Sequence, residues 1–438
     1  MHAGMTVRAT VMQTPTRSEL QVLQNVVIEV DAGGVITSIG HRDGPVDVDL
    51  GDQTVLMPGL IDSHLHAPHW PQLGTGLDVP LEQWLFEHTF PLEKRLTDPE
   101  FAARVWPLMV STLLSHGTTT AVYYATVSIE TTTMLAETCA EFGQRAFVGR
   151  VAMDHPEGTP EWYRDETAGA SISDSAASID AINALKNTLV SPIVTPRFAP
   201  ACSDDALAGL ATLAIESNVR LQTHCSESDW QHQYAYDRFG TSDTNALAGF
   251  GLMRPKTILA HGDHLGDSDL DVIRLASAGV AHCPLSNAYF ANAIFPARRA
   301  MDAGVKVGLG TDIAGGASPG LLPQCAYAVT ASRYLEDGVD PGTSAADRGV
   351  SGSRISVLDA FYMATTGGAE LLDLPVGLLA VGRSFDALAV RVNRPGSPLQ
   401  LWSEVDRNDR IFEKIVRLAS PSDITNVWVA GKRVAGTS

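Results

Sequence analysis

The chain has few basic residues, few cysteines and no long apolar run, and each shortage excludes a class of protein. Lysine and arginine together number 31 against 50 aspartates and glutamates, so the formal charge of −19 opposes partners such as nucleic acid or an anionic membrane surface. No apolar segment is long enough to cross a bilayer. The five cysteines form no Cys-x-x-Cys pair, which predicts reduced thiols: Cys139, Cys202, Cys225, Cys283 and Cys325.

The first residues, Met1-His2-Ala3-Gly4, lack the basic start and the apolar stretch of a signal peptide. Together with the reduced thiols, they predict a cytoplasmic protein. A length of 438 residues with 45% hydrophobic content provides for a large buried core and for more than one small domain.

Short apolar runs alternate with helical patterns along most of the chain, and each run ends in polar residues. Strand followed by helix, repeated eight times, predicts an α/β fold of the TIM type, a distorted (β/α)8 barrel. In such barrels the functional groups lie at the C-terminal ends of the strands. The eight runs are residues 60–66, 118–124, 146–154, 191–200, 219–227, 257–263, 279–287 and 305–312.

The two ends of the chain have a different pattern, that of β-strands without intervening helices. Residues 22–30 and 35–39 predict a hairpin across a Gly-Gly turn, and residues 385–392 and 424–434 predict further strands. These strands have no other local partners, so we expect them to pair with each other. The predicted domains are a composite β-sandwich of residues 1–57 and 383–438, and a catalytic barrel of residues 58–382.

Four histidines and an aspartate lie at the ends of predicted barrel strands. His64 and His66 alternate along a strand, so they point the same way, roughly 7 Å apart. His224, His261 and Asp312 end later strands. Taken singly, the two later histidines can be core residues and the aspartate can cap a turn. Together, neutral imidazoles and a carboxylate suit zinc or a similar divalent ion with a position left for water, which indicates a catalytic centre.

Glu227 follows His224 by three residues. A surface glutamate is the ordinary explanation in isolation. Beside a metal-activated water, a carboxylate can instead take a proton and pass it to a leaving group. Asp312 can act both as a ligand and as a second proton acceptor, and His261 can orient the attacking water by a hydrogen bond.

Several short motifs carry a family resemblance that runs almost from end to end. Pro58-Gly59-Leu60-Ile61-Asp62-Ser63-His64-Leu65-His66, Gly117-Thr118-Thr119-Thr120, Ala260-His261-Gly262 and Gly310-Thr311-Asp312 resemble the amidohydrolase superfamily. More specific motifs resemble its guanine deaminase family; they are Leu77-Asp78-Val79-Pro80-Leu81, Trp84-Leu85, Thr89-Phe90-Pro91-Leu92-Glu93, residues 142–149, Ile193-Val194-Thr195-Pro196-Arg197-Phe198 and residues 308–316.

The resemblance implies a hydrolase that acts on the C–N bonds of cyclic amidines, most simply guanine to xanthine plus ammonia. It implies a homodimer with one Zn²⁺ per subunit, with Fe²⁺ as the alternative ion, and a small heterocycle as the partner. In that family the metal ligands match His64, His66, His224 and Asp312, with Glu227 as proton shuttle. The fourth strand ends in Thr195-Pro196-Arg197-Phe198 and has no bridging lysine, which favours one metal ion over two.

The candidate substrate contacts are Arg197, Phe198, His69 and Trp70. A guanidinium can donate two hydrogen bonds to O6 and N7 of guanine, and an aromatic ring can cover the flat base. The long stretch of residues 67–96 exceeds ordinary loop lengths and predicts a lid or pocket wall.

Two residues depart from the guanine deaminase pattern. His69 replaces a glutamine, so the paired donor and acceptor of an amide are lost, and Leu285 replaces a polar residue. An 8-oxopurine such as 8-oxoguanine, a pterin or another amino-substituted heterocycle is therefore an alternative substrate. Hydrolytic displacement of another ring substituent, such as halide, is a second hypothesis, and a scaffold protein that has lost the chemistry is a third.

Overall fold

The computed structural model describes residues 4–436, so residues 1–3 and 437–438 of the predicted sandwich domain lie outside the described part. It contains a terminal sheet and a barrel sheet. In chain order the strands are β1 (Met5–Thr16), β2 (Glu19–Val30), β3 (Ile36–Gly40), β4 (Val48–Asp49), β5 (Thr54–Pro58), β6 (Leu60–His66), β7 (Thr118–Tyr124), β8 (Arg145–Gly149), β9 (Val151–Ala152), β10 (Val190–Pro196), β11 (Arg220–Cys225), β12 (Thr257–His261), β13 (Gly279–His282), β14 (Lys306–Leu309), β15 (Ala387–Arg391), β16 (Ile424–Val429) and β17 (Lys432–Ala435).

Helices follow most barrel strands. In chain order the α-helices are α1 (Leu81–Trp84), α2 (Phe90–Arg95), α3 (Pro99–Ser115), α4 (Ile129–Phe142), α5 (Ala168–Ala184), α6 (Asp204–Glu216), α7 (Asp229–Phe239), α8 (Asp243–Gly249), α9 (Asp267–Leu275), α10 (Pro284–Phe290), α11 (Ala297–Asp302), α12 (Leu321–Asp337), α13 (Val357–Ala364), α14 (Thr366–Leu372) and α15 (Asn408–Leu418). A π-helical turn, Leu85–Thr89, joins α1 to α2, and short 3-10 turns lie at Ala67–Gln72, Ala199–Ala201 and Pro421–Asp423. Within the described residues, no helix is both long and apolar enough to cross a membrane.

The barrel confirms the predicted fold class. Strands β6, β7, β8 and β10 to β14 lie parallel and in chain order, with β9 beside β10. At the C-terminal end of the strands, two main-chain hydrogen bonds join the first strand to the chain that follows the last. The amide of His66 donates to the carbonyl of Ile313 at 3.0 Å, and the amide of Asp312 donates to the carbonyl of His64 at 2.9 Å.

Helix ends follow the local signals in the sequence. The Asp98 side chain accepts from the amide of Glu100 at 3.0 Å, and Pro99 occupies the first position of α3, where no amide proton is needed. The Ser203 side chain caps α6 by accepting from the amide of Ala206 at 3.2 Å. Leu207, Leu210 and Ala214 of that helix are buried against the barrel.

Two predicted strands and one predicted loop have different structures. The run 279–287 is a strand only to His282, because Pro284 begins α10; proline cannot donate to a sheet but is well suited to a first helical turn. The run 146–154 is interrupted at Arg150, which separates β8 from β9. The stretch 67–96 is not one long irregular loop, since most of it is helical.

The terminal sheet joins both ends of the chain, as predicted. Its order is β17-β16-β15-β5-β1-β2-β3, with β4 beside β1, so the N- and C-terminal strands meet where β5 pairs antiparallel with β15. The hairpin of β2 and β3 also agrees with the sequence. Strand β1 had no counterpart in the prediction. Val7, Val11, Ile28, Leu56 and Trp428 lie in the core of this sheet.

Candidate metal centre and substrate pocket

The predicted metal ligands converge at the C-terminal end of the barrel. His64 and His66 are on β6, His224 is on β11, and Asp312 lies three residues beyond the end of β14. The two Nε2 atoms of His66 and His224 are 2.9 Å apart, and Oδ1 of Asp312 lies 3.2 Å from Nε2 of His64 and 3.6 Å from Nε2 of His66. All four side chains are buried. Residues separated by nearly 250 positions thus face one point.

Hydrogen bonds and burial leave the imidazoles suited to bind a cation. His224 Nδ1 lies 2.6 Å from the main-chain oxygen of Arg197, and because a carbonyl only accepts, Nδ1 carries the proton and Nε2 keeps its lone pair. Burial lowers the pKa of His64, His66 and His224, which favours the neutral form that binds metals. His64 Nε2 is buried without a hydrogen-bond partner among residues 4–436. Three imidazole nitrogens and a carboxylate fit a zinc-type ion.

Asp62 fixes the geometry of this centre from inside the barrel. Its Oδ1 accepts from the amide of Thr311 at 3.0 Å and from the amide of His64 at 3.3 Å, and the Thr311 hydroxyl donates to its Oδ2 at 2.5 Å. One buried carboxyl group therefore links the strand of His64 to the turn that carries Asp312. In the sequence, Asp62 stands out only as part of the motif Pro58-Gly59-Leu60-Ile61-Asp62-Ser63-His64-Leu65-His66.

Asp312 is held as a carboxylate. Burial opposes its ionisation, but the neighbouring imidazoles of His64 and His261 hold its pKa below the ordinary value. An anionic oxygen beside neutral imidazoles is a donor set that suits a zinc-type divalent cation.

Glu227 and His261 lie together on the far side of Asp312. His261 Nε2 is 3.6 Å from Oε1 of Glu227 and 4.0 Å from Oδ2 of Asp312. Burial raises the pKa of Glu227 to about 7, despite the opposing charge of His261. A carboxyl group that exchanges protons near neutrality is suited to general acid–base chemistry.

The orientation of His261 depends on two residues that the sequence did not single out for catalysis. Nδ1 of His261 lies 2.9 Å from Oδ1 of Asn287, whose Nδ2 donates to Oδ1 of Asp263 at 2.6 Å. Since Asn287 uses its amino group for Asp263, its oxygen accepts from Nδ1–H of His261. These two hydrogen bonds direct Nε2 of His261 towards Glu227 and Asp312.

Three residues at the same site have strained backbone conformations. Ser226, His261 and Asp312 have φ angles of 51°, 75° and 48°, in the left-handed region that side chains other than glycine seldom adopt. Such conformations persist where the surrounding structure imposes them, and they are frequent at active sites.

A cavity opens beside the predicted ligands, and most of the predicted substrate contacts line it. His69, Arg197 and Phe198 line it, but Trp70 does not; Trp70 packs against the buried cluster of Leu65 and Trp106. Trp84 supplies the tryptophan of the wall. Leu285 lines a different cavity, next to His282. The full lining is His66, His69, Leu81, Trp84, Leu85, Arg197, Phe198, His224, Glu227 and Asp312.

Glu93 connects two of these contacts and was missed as a site residue. Its Oε2 accepts from Nη1 of Arg197 and its Oε1 accepts from Nη2, both at 2.8 Å, while Nε2 of His69 lies 2.6 Å from Oε1. Glu93 belongs to the motif Thr89-Phe90-Pro91-Leu92-Glu93. That motif was the only signal in the sequence, because a single glutamate on a helix is normally exposed.

Comparisons with known proteins agree with this geometry. The Amidohydrolase family model matches residues 55–434. The guanine deaminase of Dictyostelium discoideum is 32% identical over 452 aligned residues, which cover 98% of this chain and 97% of that protein. The probable guanine deaminase of Schizosaccharomyces pombe is 37% identical over 87% of this chain and 71% of that protein.

A solved structure gives the same result. The guanine deaminase from C. acetobutylicum, crystallised with bound guanine in the active site, superposes with a TM-score of 0.87 at 26% identity, over 98% of this chain and 99% of that chain. The chain therefore belongs to the amidohydrolase family, and within that family it is similar to guanine deaminases.

Proposed function

We propose that this protein hydrolyses guanine to xanthine and ammonia. The observation that carries the proposal is the placement of Glu227 beside four convergent metal-binding side chains, in a buried cavity that Arg197 and Phe198 also line. The similarity to guanine deaminases over nearly the whole chain supports guanine as the substrate. Neither His69 nor Leu285 opposes it directly, since His69 Nε2 is bound to Glu93 and Leu285 lies elsewhere.

The ligands for the ion are His64, His66, His224 and Asp312. A divalent cation bound there supplies an acidified water as the nucleophile. His261, held by Asn287, accepts a hydrogen bond from this water or donates one to it and so orients it for attack. We propose one Zn²⁺ per subunit, with Fe²⁺ as the alternative, because three imidazoles and one carboxylate suit either ion.

Two carboxylates move the protons of the attacking water. The water oxygen bonds to C2 of guanine, and Glu227 transfers one water proton to the adjacent ring nitrogen. Asp312 transfers the second proton to the exocyclic amine. The bond between C2 and that amine nitrogen breaks, and ammonia leaves. Both water protons are thus accounted for, one on the ring and one on ammonia. Arg197 and Phe198 hold the ring during these steps, the first by hydrogen bonds and the second by packing.

A panel of heterocycles tests the proposal. Purified protein with its metal content measured is offered guanine, 8-oxoguanine, a pterin, cytosine, an aminotriazine and a chlorotriazine, and the release of ammonia and of halide is followed for each. We expect guanine to have the highest kcat/KM and xanthine to be the other product. A higher kcat/KM for another ring would identify that ring as the substrate instead of guanine. Release of halide from a chlorotriazine would favour the displacement hypothesis. Metal-loaded protein that is inert on every ring would favour a scaffold.

The remaining features of the proposal concern the whole protein. We propose a homodimer in the cytoplasm, with a sandwich domain of residues 1–57 and 383–438 and a barrel domain of residues 58–382. The resemblance to guanine deaminases supports the dimer. Light scattering on the purified protein tests the dimer, and limited proteolysis near residues 57 and 383 tests the domain boundaries.

A further inference from the structure

The side chain of Arg197 is fixed on two sides by helix α2. The two terminal nitrogens of its guanidinium donate to the two oxygens of Glu93 at 2.8 Å. Its central carbon lies 4.8 Å from the centroid of the Phe90 ring, in a cation–π contact. Glu93 and Phe90 both belong to α2, whereas Arg197 follows β10. Helix α2, which lies outside the barrel strands, therefore holds the Arg197 side chain at the mouth of the barrel.

His69 adds a third member to this arrangement. Because the Glu93 carboxylate can only accept, the contact of 2.6 Å means that His69 donates its Nε2–H to Oε1. Burial opposes the ionisation of Glu93, but the charge of Arg197 and the hydrogen bond from His69 lower its pKa to about 2. His66, His69 and Glu93 lie close enough to hold a cation, yet both Glu93 oxygens are already engaged by donors.

This pairing determines which part of Arg197 is left for a ligand. A guanidinium has five N–H groups, and the end formed by Nη1 and Nη2 is committed to Glu93. No acceptor within residues 4–436 takes the other three. Nε–H and one Nη–H form a second parallel pair along the side edge, suited to a carbonyl oxygen. Since Arg197 lines the cavity, a bound ring can meet that edge.

We propose that Glu93 and Phe90 are positioning residues that hold the free edge of Arg197 for a carbonyl oxygen of the substrate ring. The pocket then selects aminated heterocycles that carry a ring carbonyl over those that lack one, and His69 supports this selection through Glu93 rather than through an Nε2 contact to the base. The inference rests on the proposed deaminase function.

Guanine and 2-aminopurine provide the test, because both have an amine at C2 and only guanine has the O6 carbonyl. We compare kcat/KM and calorimetric affinity for both bases in the unmodified protein, in Glu93→Gln, and in Glu82→Gln. The control Glu82 is exposed on α1 in the same segment. In Glu93→Gln we expect guanine kcat/KM to fall about 10- to 100-fold, mainly through KM, and 2-aminopurine to change less than about threefold. Glu82→Gln should match the unmodified protein.

An equal loss for both bases in folded Glu93→Gln would overturn the proposal, because a general structural role affects both. An unchanged preference for guanine would overturn it as well. If Glu93→Gln does not fold, Phe90→Leu removes the contact to the guanidinium face and should shift the preference in the same direction. In an Arg197→Gln background, Glu93→Gln should have no further effect on the ratio, and a further loss would contradict the link between the two residues.

The outcome is separable from that of the proposed function. If the unmodified protein releases no ammonia from guanine, the proposed function is wrong, while the calorimetric preference for guanine over 2-aminopurine and its loss in Glu93→Gln still test the positioning of Arg197.

Discussion

The imidazole of His224 donates its Nδ1–H to the main-chain carbonyl of Arg197 at 2.6 Å. One residue therefore contacts both halves of the site: the main chain of Arg197 orients a proposed metal ligand, and its side chain lines the cavity. The amide of His224 donates to the same carbonyl at 3.1 Å, which fixes β11 against the end of β10. The proposed substrate contact and the proposed metal centre are thus joined through one main-chain carbonyl.

Glu227→Gln should separate metal binding from proton transfer. The amide keeps the shape of the side chain and cannot exchange a proton, and Glu227 is not among the four proposed ligands. We expect an unchanged metal content and a kcat for guanine lower by about 10²- to 10⁴-fold. Metal analysis and steady-state kinetics on the same sample measure both quantities. Near-normal turnover would show that another group carries the proton.

Removal of the metal should reduce stability as well as activity. Without an ion, the His64 Nε2 is buried and unpartnered among the described residues, and Asp312 is a buried anion. An ion that binds only the folded state at a thousandfold excess over its Kd stabilises the fold by about 4 kcal/mol. We therefore expect chelator-treated protein to have a lower Tm, which rises again when Zn²⁺ is added.

The matched control for this experiment is His64→Asn, in which one ligand is removed. Added Zn²⁺ should raise the Tm of this variant much less than that of the unmodified protein. An equal rise in both would mean that the ion stabilises the protein from some other place.

Asn287→Ala should lower turnover through His261. It removes the acceptor for Nδ1–H of His261 and the donor to Asp263. Loss of a residue that orients groups around a metal typically lowers activity 10- to 100-fold. We expect a loss of about this size in kcat, with KM for guanine nearly unchanged. Asn245→Ala on α8, whose side chain donates to Ser242, is a control of the same chemistry away from the site. A loss confined to KM would contradict the assigned orientation of His261.

Substitutions of His69 should show whether its donor matters more than its ring. His69→Phe retains the ring and removes the Nε2–H to Glu93, and a lost hydrogen bond to a buried charged group should reduce guanine kcat/KM by about tenfold. His69→Gln supplies a new N–H donor, and we expect turnover at or above the original level. Steady-state kinetics of both variants measure this. A loss in His69→Gln as large as in His69→Phe would count against a role as donor.

The sequence predicted those features that depend on local patterns. Eight apolar runs identified the barrel strands. The histidines at the strand ends were expected to lie together, and they do, because all parallel strands of a barrel present their C-terminal ends to one face. Cap residues such as Asp98 and Ser203 gave helix starts for the same local reason.

Features that depend on long-range contacts were not accessible in this way. Glu93 and Arg197 are 104 residues apart, and Asn287 is 26 residues from His261, so no periodicity relates them. Trp70 and Trp84 lie in one segment of similar composition, and only the three-dimensional path of that segment places Trp84 in the wall of the cavity. Strand β1 is a different case, because its local pattern does indicate a strand: buried Val7, Ala9 and Val11 alternate with polar residues, and the prediction overlooked it.

Asp386→Ala should destabilise the attachment of the terminal sheet to the barrel. Asp386 is fully buried and accepts from Arg145 of β8 at 3.1 and 3.2 Å, from the amide of Ala430 and from the Ser384 hydroxyl. Removing one partner of such a pair leaves the guanidinium without its counterion in a mostly buried position, which costs about 3–5 kcal/mol. Chemical denaturation should show this loss, and Asp49→Ala, whose partner Arg8 forms an exposed pair, should change stability by about 1 kcal/mol or less. Equal effects of the two substitutions would mean that the buried pair does not hold the sheet to the barrel.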